Sequence, residues 1–124
     1  MTDVQVRVDG SGFWPVAHLR GDIDLSNVEN IGLAVESAVS NAAFGVVLDL
    51  SEVTYLDSSG LRLIFRLVRE LQNRQQQLRL VVPHGARTWN VLQLGGVPEV
   101  ARIFAELTEA LPRNGDRHDR HPSG

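Results

Sequence analysis

Neither cysteine nor lysine occurs anywhere in the 124 residues. The first absence excludes disulfides, thiolate metal sites and a cysteine nucleophile. The second excludes a phosphate-loop lysine, a Schiff base and a lysine general base. All 12 basic side chains are therefore arginine. Long apolar runs are missing as well; the longest are a handful of residues, too short to span a membrane as a helix. No basic-then-apolar leader precedes the first strand-like segment, so the expectation is a cytoplasmic chain with no membrane insertion. Nor is there an excess of positive charge. A net charge of −3 argues against nucleic acid as a direct partner. The four histidines, His18, His84, His118 and His121, lack the spacing of a helical zinc motif, and nothing resembles a hydrolytic triad. No catalytic residue, metal or cofactor is assigned, and an enzyme is not expected.

What is present reads as one α/β domain over residues 1–112, with a hydrophobic content of 43% and a charged content of 22%. Val4, Val6 and Val8 alternate with polar residues, the period of a half-buried strand, and residues 15–20 form the return strand of a hairpin. His18 is expected there as a solvent-face or cross-strand residue. Ser26 and Glu29 have capping-box spacing, opening a helix whose apolar face runs to about Ala43. Residues 46–50 are apolar enough for a buried strand, followed by a polar bend at Ser51 and Glu52. A second helix covers about residues 58–74, a strand residues 78–82 and a short helix residues 86–94, ended by Gly95 and Gly96. An extended segment at residues 98–104 and a last helix at 105–111 complete the domain. Residues 113–124 offer almost nothing to bury and read as a disordered tail. The order predicts a mixed sheet of four to five strands packed with four to five helices.

The chemistry concentrates in Asp57-Ser58-Ser59-Gly60, between the central strand and the second helix. Asp57 and Ser58 are both good N-cap residues, and a cap alone is worth about 1 kcal/mol. A phosphoryl group on either hydroxyl would also lie at the positive end of a helix dipole, near free backbone amides. Arg62, Arg66 and Arg69 fall at i, i+4 and i+7, a basic stripe that is either a solvated face or a docking surface for an acidic partner. Asp22 and Asp24 are read as solvated acids in a strand-to-helix loop.

Three segments carry a resemblance to the STAS family, within it to the single-domain anti-sigma factor antagonists of bacteria. They are Gly21-Asp22-Ile23-Asp24, Val47-Leu48-Asp49-Leu50-Ser51 with Val53, and Tyr55-Leu56-Asp57-Ser58-Ser59-Gly60-Leu61. Residues 92–97 match the family's C-terminal pattern more loosely. The resemblance implies a protein that binds an anti-sigma factor which is also a serine kinase, freeing the sigma factor. It places the phosphorylated serine, whose modification ends binding, at Ser58. A serine phosphatase then resets the switch. It makes Asp24, Asp57, Ser59 and Gly60 neighbours of the switch; the stripe of Arg62, Arg66 and Arg69, read from its spacing, is the candidate partner-binding surface. Arg62 stands where many relatives carry glycine. The alternative is a STAS subunit of a phospholipid-transport or stressosome-like assembly; oligomeric state is left open.

Overall fold

The computed structural model describes residues 4–9 and 13–112. Five strands form one sheet in sequence order: β1 (Val4–Asp9), β2 (Val16–Ile23), β3 (Gly45–Leu56), β4 (Gln77–Val81) and β5 (Arg102–Phe104). β1 runs antiparallel to β2, and every other neighbouring pair is parallel. Among the described residues four helices, α1 (Val28–Ala38), α2 (Ser58–Asn73), α3 (Arg87–Leu94) and α4 (Leu107–Ala110), complete the mixed α/β fold. Residues 113–124, read above as a tail, lie outside the described residues.

β3 organises the sheet because both of its faces are covered. Val46, Leu48 and Leu50 join Ile31 and Val35 of α1 and Leu63, Leu67 and Leu71 of α2 in the main core. Val47 points the other way, into a smaller cluster with Trp14, Val81 and Ala110. Alternation of side chains along a strand accounts for the division, and two-sided burial explains the unbroken apolar run. α2 contributes Leu63, Ile64, Leu67, Val68 and Leu71, a stripe at helical spacing. Each such fully buried side chain is worth about 1.5–3 kcal/mol relative to exposure.

Several expectations are corrected. The bend at Ser51 and Glu52 is absent: β3 continues to Leu56, because Glu52, Val53, Tyr55 and Leu56 still pair with Arg20, Gly21, Asp22 and Ile23. The polar residues there simply face outward, while Val53 and Leu56 stay buried. The capping box of α1 is also absent. Ser26 Oγ donates to Asp24 Oδ1 instead, and Asn27 is the N-cap. The buried Asn27 side chain donates from Nδ2 to Asp22 O at 2.8 Å and accepts from Asp24 N at 3.0 Å, so it braces the strand-to-helix corner. α1 ends at Ala38, short of Ala43, since Val39 turns to an extended conformation. Carbonyls of the segment beyond it are met from α2 and its exit: Arg74 donates to Val39 O, and Gln76 donates to Ser40 O and Ala43 O. Residues 98–104 are not uniformly extended; a 3-10 turn (Val97–Glu99) precedes β5.

On the far side of the sheet Arg79 is 2% exposed and lies 3.8 Å over the Trp14 ring. Its Nη1 donates to Ala110 O at 2.6 Å, fastening α4 to the sheet. Trp89 of α3 is partly buried against the main core. Among the described residues no helix is long and apolar enough to cross a membrane.

Candidate functional site

β2 and β3 end side by side, and the sequence turns both ends into helix starts. Asp57 N–H donates to Ile23 O at 3.3 Å, so Asp24 and Asp57 leave neighbouring strands, whose spacing is about 4.8 Å. Asp57 is the N-cap of α2. Its Oδ1 accepts from Ser59 N at 2.8 Å and from Gly60 N at 3.3 Å, and its carbonyl accepts from Leu61 N. These first-turn amides are therefore already engaged. The expectation that they cradle a phosphate is revised; what reaches a group on Ser58 is the field of the helix dipole.

The two serines of the motif are placed differently. Ser58, the first helical residue, is exposed, whereas Ser59 is 8% exposed. Gly60 explains why the turn is oriented this way. A Cβ on Gly60 would lie 2.8 Å from Leu56 Cγ and 3.2 Å from Ile23 Cγ2. Only a residue without a side chain lets the helix start press this closely onto the strand ends, which turns Ser59 inward and leaves Ser58 outward.

Asp24 Oδ1 accepts from the backbone N and the hydroxyl of Ser26, so this acid organises its own loop at the edge of the site. Asp22, expected as a free loop acid, belongs to β2 and accepts from Thr54 Oγ1 across the strands. His18 is the cross-strand residue expected of it, with Nδ1 2.8 Å from Asp49 Oδ2. Burial alone would raise the Asp49 carboxyl, but hydrogen bonds from the Ser51 hydroxyl and amide and from His18 outweigh it, and its pKa falls below the usual 3.8. That pair lies some distance along β2 and β3 from the serines. Among the described residues no three His, Asp or Glu side chains converge on a metal position.

Arg62, Arg66 and Arg69 line a groove of about 920 Å³ between α1 and α2, which also reaches Ser59. Arg62 and Arg69 are exposed; Arg66 is half-buried, with Nε a loose 3.9 Å from Glu70 Oε2. The Arg66 guanidinium covers Gly32 of α1 so closely that a Cβ there would meet Nη2. The groove itself escaped sequence reasoning, as did two bare apolar side chains, Leu25 at 74% exposure and Leu94 at 89%. Leu25 lies two residues before the N-cap of α1 and Leu94 directly before the glycine pair, positions that local patterning reads as termini rather than as surface.

A family model for the STAS domain matches residues 5–110. The anti-sigma-F factor antagonist RsfB of Mycobacterium tuberculosis is 30% identical over 107 residues, 85% of each chain. A crystal structure of an anti-sigma factor antagonist from Mycobacterium paratuberculosis superposes with a TM-score of 0.76 at 21% identity, covering 87% of this chain and 91% of that one. The antagonist SpoIIAA in its unphosphorylated form gives 0.70 at 23% identity, covering 86% and 92%. The phosphorylated form of the Bacillus protein gives 0.62, covering 86% and 96%. At identities of 21–23% these three structural likenesses establish the fold alone.

Proposed function

The chain belongs to the STAS domain family, and from that premise we propose that it is an anti-sigma factor antagonist switched by phosphorylation of Ser58. In this reading the unphosphorylated protein binds an anti-sigma factor that is a serine kinase, and so frees the sigma factor. Phosphorylation ends the interaction, and a serine phosphatase restores it. The domain is a binding module of the cytoplasm, not an enzyme, and residues 1–112 form the functional unit.

The observation that carries the reading is the split between the two serines: an exposed Ser58 hydroxyl at the start of α2, beside a buried Ser59. A kinase reaches the first without disturbing the fold. The phosphate adds about −1.5 to −2 charges at pH 7. At the start of α2 the helix dipole favours that charge by about 0.3–1 kcal/mol, so the domain tolerates it. Against a partner carboxylate at about 6 Å, with an effective dielectric near 20, repulsion reaches about 4–5 kcal/mol. That is about three decades of affinity, and the interface is lost while the fold persists.

The test is a phosphate-affinity gel of Ser58→Ala, Ser58→Asp and Ser59→Ala beside a binding titration, using the ATP-binding partner recovered by affinity purification. Ser58→Ala is expected to bind and resist release by ATP. Ser58→Asp should bind at least about tenfold more weakly, some 1.4 kcal/mol. Ser59→Ala should still accept phosphate. Phosphorylation that survives Ser58→Ala, or recovery of transporter or scaffold subunits in place of a kinase, would favour the assembly-subunit alternative.

A further inference from the structure

The α1–α2 groove is a basic surface on an acidic chain. Its lining holds three guanidinium groups and one carboxylate, Glu29, while the whole chain carries −3. Arg62 and Arg69 meet no acidic partner among the described residues, while Arg66 has a loose contact to Glu70 and feels the charge of Glu36. The charges are not gathered around one point. Their spacing of four and three residues along α2 spreads them over about 10 Å at 1.5 Å per residue. Such a line does not enclose a single phosphate, but it matches carboxylates carried at the same spacing on a second helix. Apolar groups from Leu25, Val28 and Phe65 line the groove beside the arginines. α1 and α2 run in the same direction here, Gly32 facing Leu63 and Arg66 and Glu36 facing Glu70, so the groove is long and open rather than a closed cavity.

We infer that this groove is the docking site for an acidic amphipathic helix of a partner protein. Its carboxylates at i, i+4 and i+7 pair with Arg62, Arg66 and Arg69, and its apolar residues seat against Leu25 and Phe65. The inference rests on the reading of the domain as a binding module and names the chemistry of the segment that module receives. It does not depend on phosphorylation of Ser58. Exposed ion pairs are individually weak, each worth a factor of about two to five in affinity, so specificity comes from the register of three charges with an apolar anchor.

The probe is a 14-residue, end-blocked helical peptide with glutamates at i, i+4 and i+7 and leucines on the adjoining stripe. Its counterpart carries lysine at the three glutamate positions. Each is titrated into the unphosphorylated full chain, followed by fluorescence anisotropy and amide chemical shifts. The acidic peptide should bind saturably and shift the amides of the first turn of α1 and the outer face of α2. Arg62→Glu with Arg69→Glu should weaken it about tenfold or more and allow the lysine peptide to bind. That double variant touches only exposed side chains, so its circular dichroism and melting should match the parent. Arg66 is left in place because it also covers Gly32. Equal binding of both peptides to the parent, shifts confined to another surface, no saturable binding at millimolar peptide, or failure of the charge swap would each overturn the inference. No kinase or ATP enters this titration, so a failed phospho-switch and a failed groove are separate results.

Discussion

Replacing Asp57 by alanine removes two interactions at once, and the structure allows each to be sized. The carboxylate accepts from Ser59 N at 2.8 Å, a well-formed cap, and from Gly60 N at a long 3.3 Å that adds little. Loss of an N-cap side chain costs about 1 kcal/mol. The same change takes a negative charge from the positive end of a 16-residue helix, a further 0.3–1 kcal/mol or so. Asp57→Ala is therefore expected to destabilise the domain by about 1.5 kcal/mol. For a domain of this size that is a fall in melting temperature of about 6 °C. Asp57→Asn keeps an acceptor oxygen and loses only the charge, so it should cost less than half as much. Urea denaturation at pH 7 reads both values, with an unchanged slope against denaturant showing that the same surface is exposed. Indistinguishable melts for the alanine variant and the parent, or an asparagine variant as unstable as the alanine one, would refute the capping argument. Either result would leave the start of α2 without its stated cap.

Gly60→Ala places a Cβ 2.8 Å from the buried Leu56 Cγ; overpacking of about 1–3 kcal/mol outweighs a helix-propensity gain of at most about 1, and chemical denaturation should show net destabilisation. Asn27→Ala should cost about 1–3 kcal/mol by leaving Asp22 O and Asp24 N unmet, while Ser26→Ala stays within about 0.5 kcal/mol; equal costs in a urea series would contradict the corner geometry. Asp49 has a folded pKa below its unfolded value of 3.8, so its contribution is fully present above pH 3.8 and is lost as pH falls through the lower folded value. Asp49→Asn should accordingly flatten the dependence of the urea midpoint on pH below 3.8, and a variant with the parent's slope would disprove the assignment.

Elements whose signals are local were legible in the chain. The apolar run of β3, the stripe of α2 and the glycine pair after α3 each reflect a period or a terminus complete within a few residues. Asp57 as a cap was legible for the same reason: the side chain and the amides it serves lie within three residues. The errors fall where a distant segment decides. Ser51 and Glu52 look like a bend until β2 supplies partners out to Leu56. Ser26 and Glu29 have the spacing of a capping box, yet the Asn27 side chain finds Asp22 O and Asp24 N and takes the corner. Beyond the end of α1, the carbonyls of Val39 and Ser40 are met by Arg74 and Gln76, more than thirty residues away.

The site divides along the same line. That Ser58 and Ser59 differ follows from Gly60, and the need for glycine there lies in Leu56 and Ile23, two strand ends brought together only by the parallel pairing of β2 with β3. A motif read along the chain identifies the serines; the sheet decides which one faces outward. The arginine stripe was legible as a stripe, because its spacing belongs to a single helix. Whether it is a solvated face or one wall of a groove depends on where α1 lies against α2, and the close fit of Arg66 over Gly32 is what sets that. A side chain larger than hydrogen at position 32 would push the Arg66 guanidinium away and alter the wall beside Arg62 and Arg69. The proposed switch residue and the proposed docking surface thus lie beside two different close contacts, Gly60 with Leu56 and Gly32 with Arg66. Substitutions at these glycines should separate loss of switching from loss of binding.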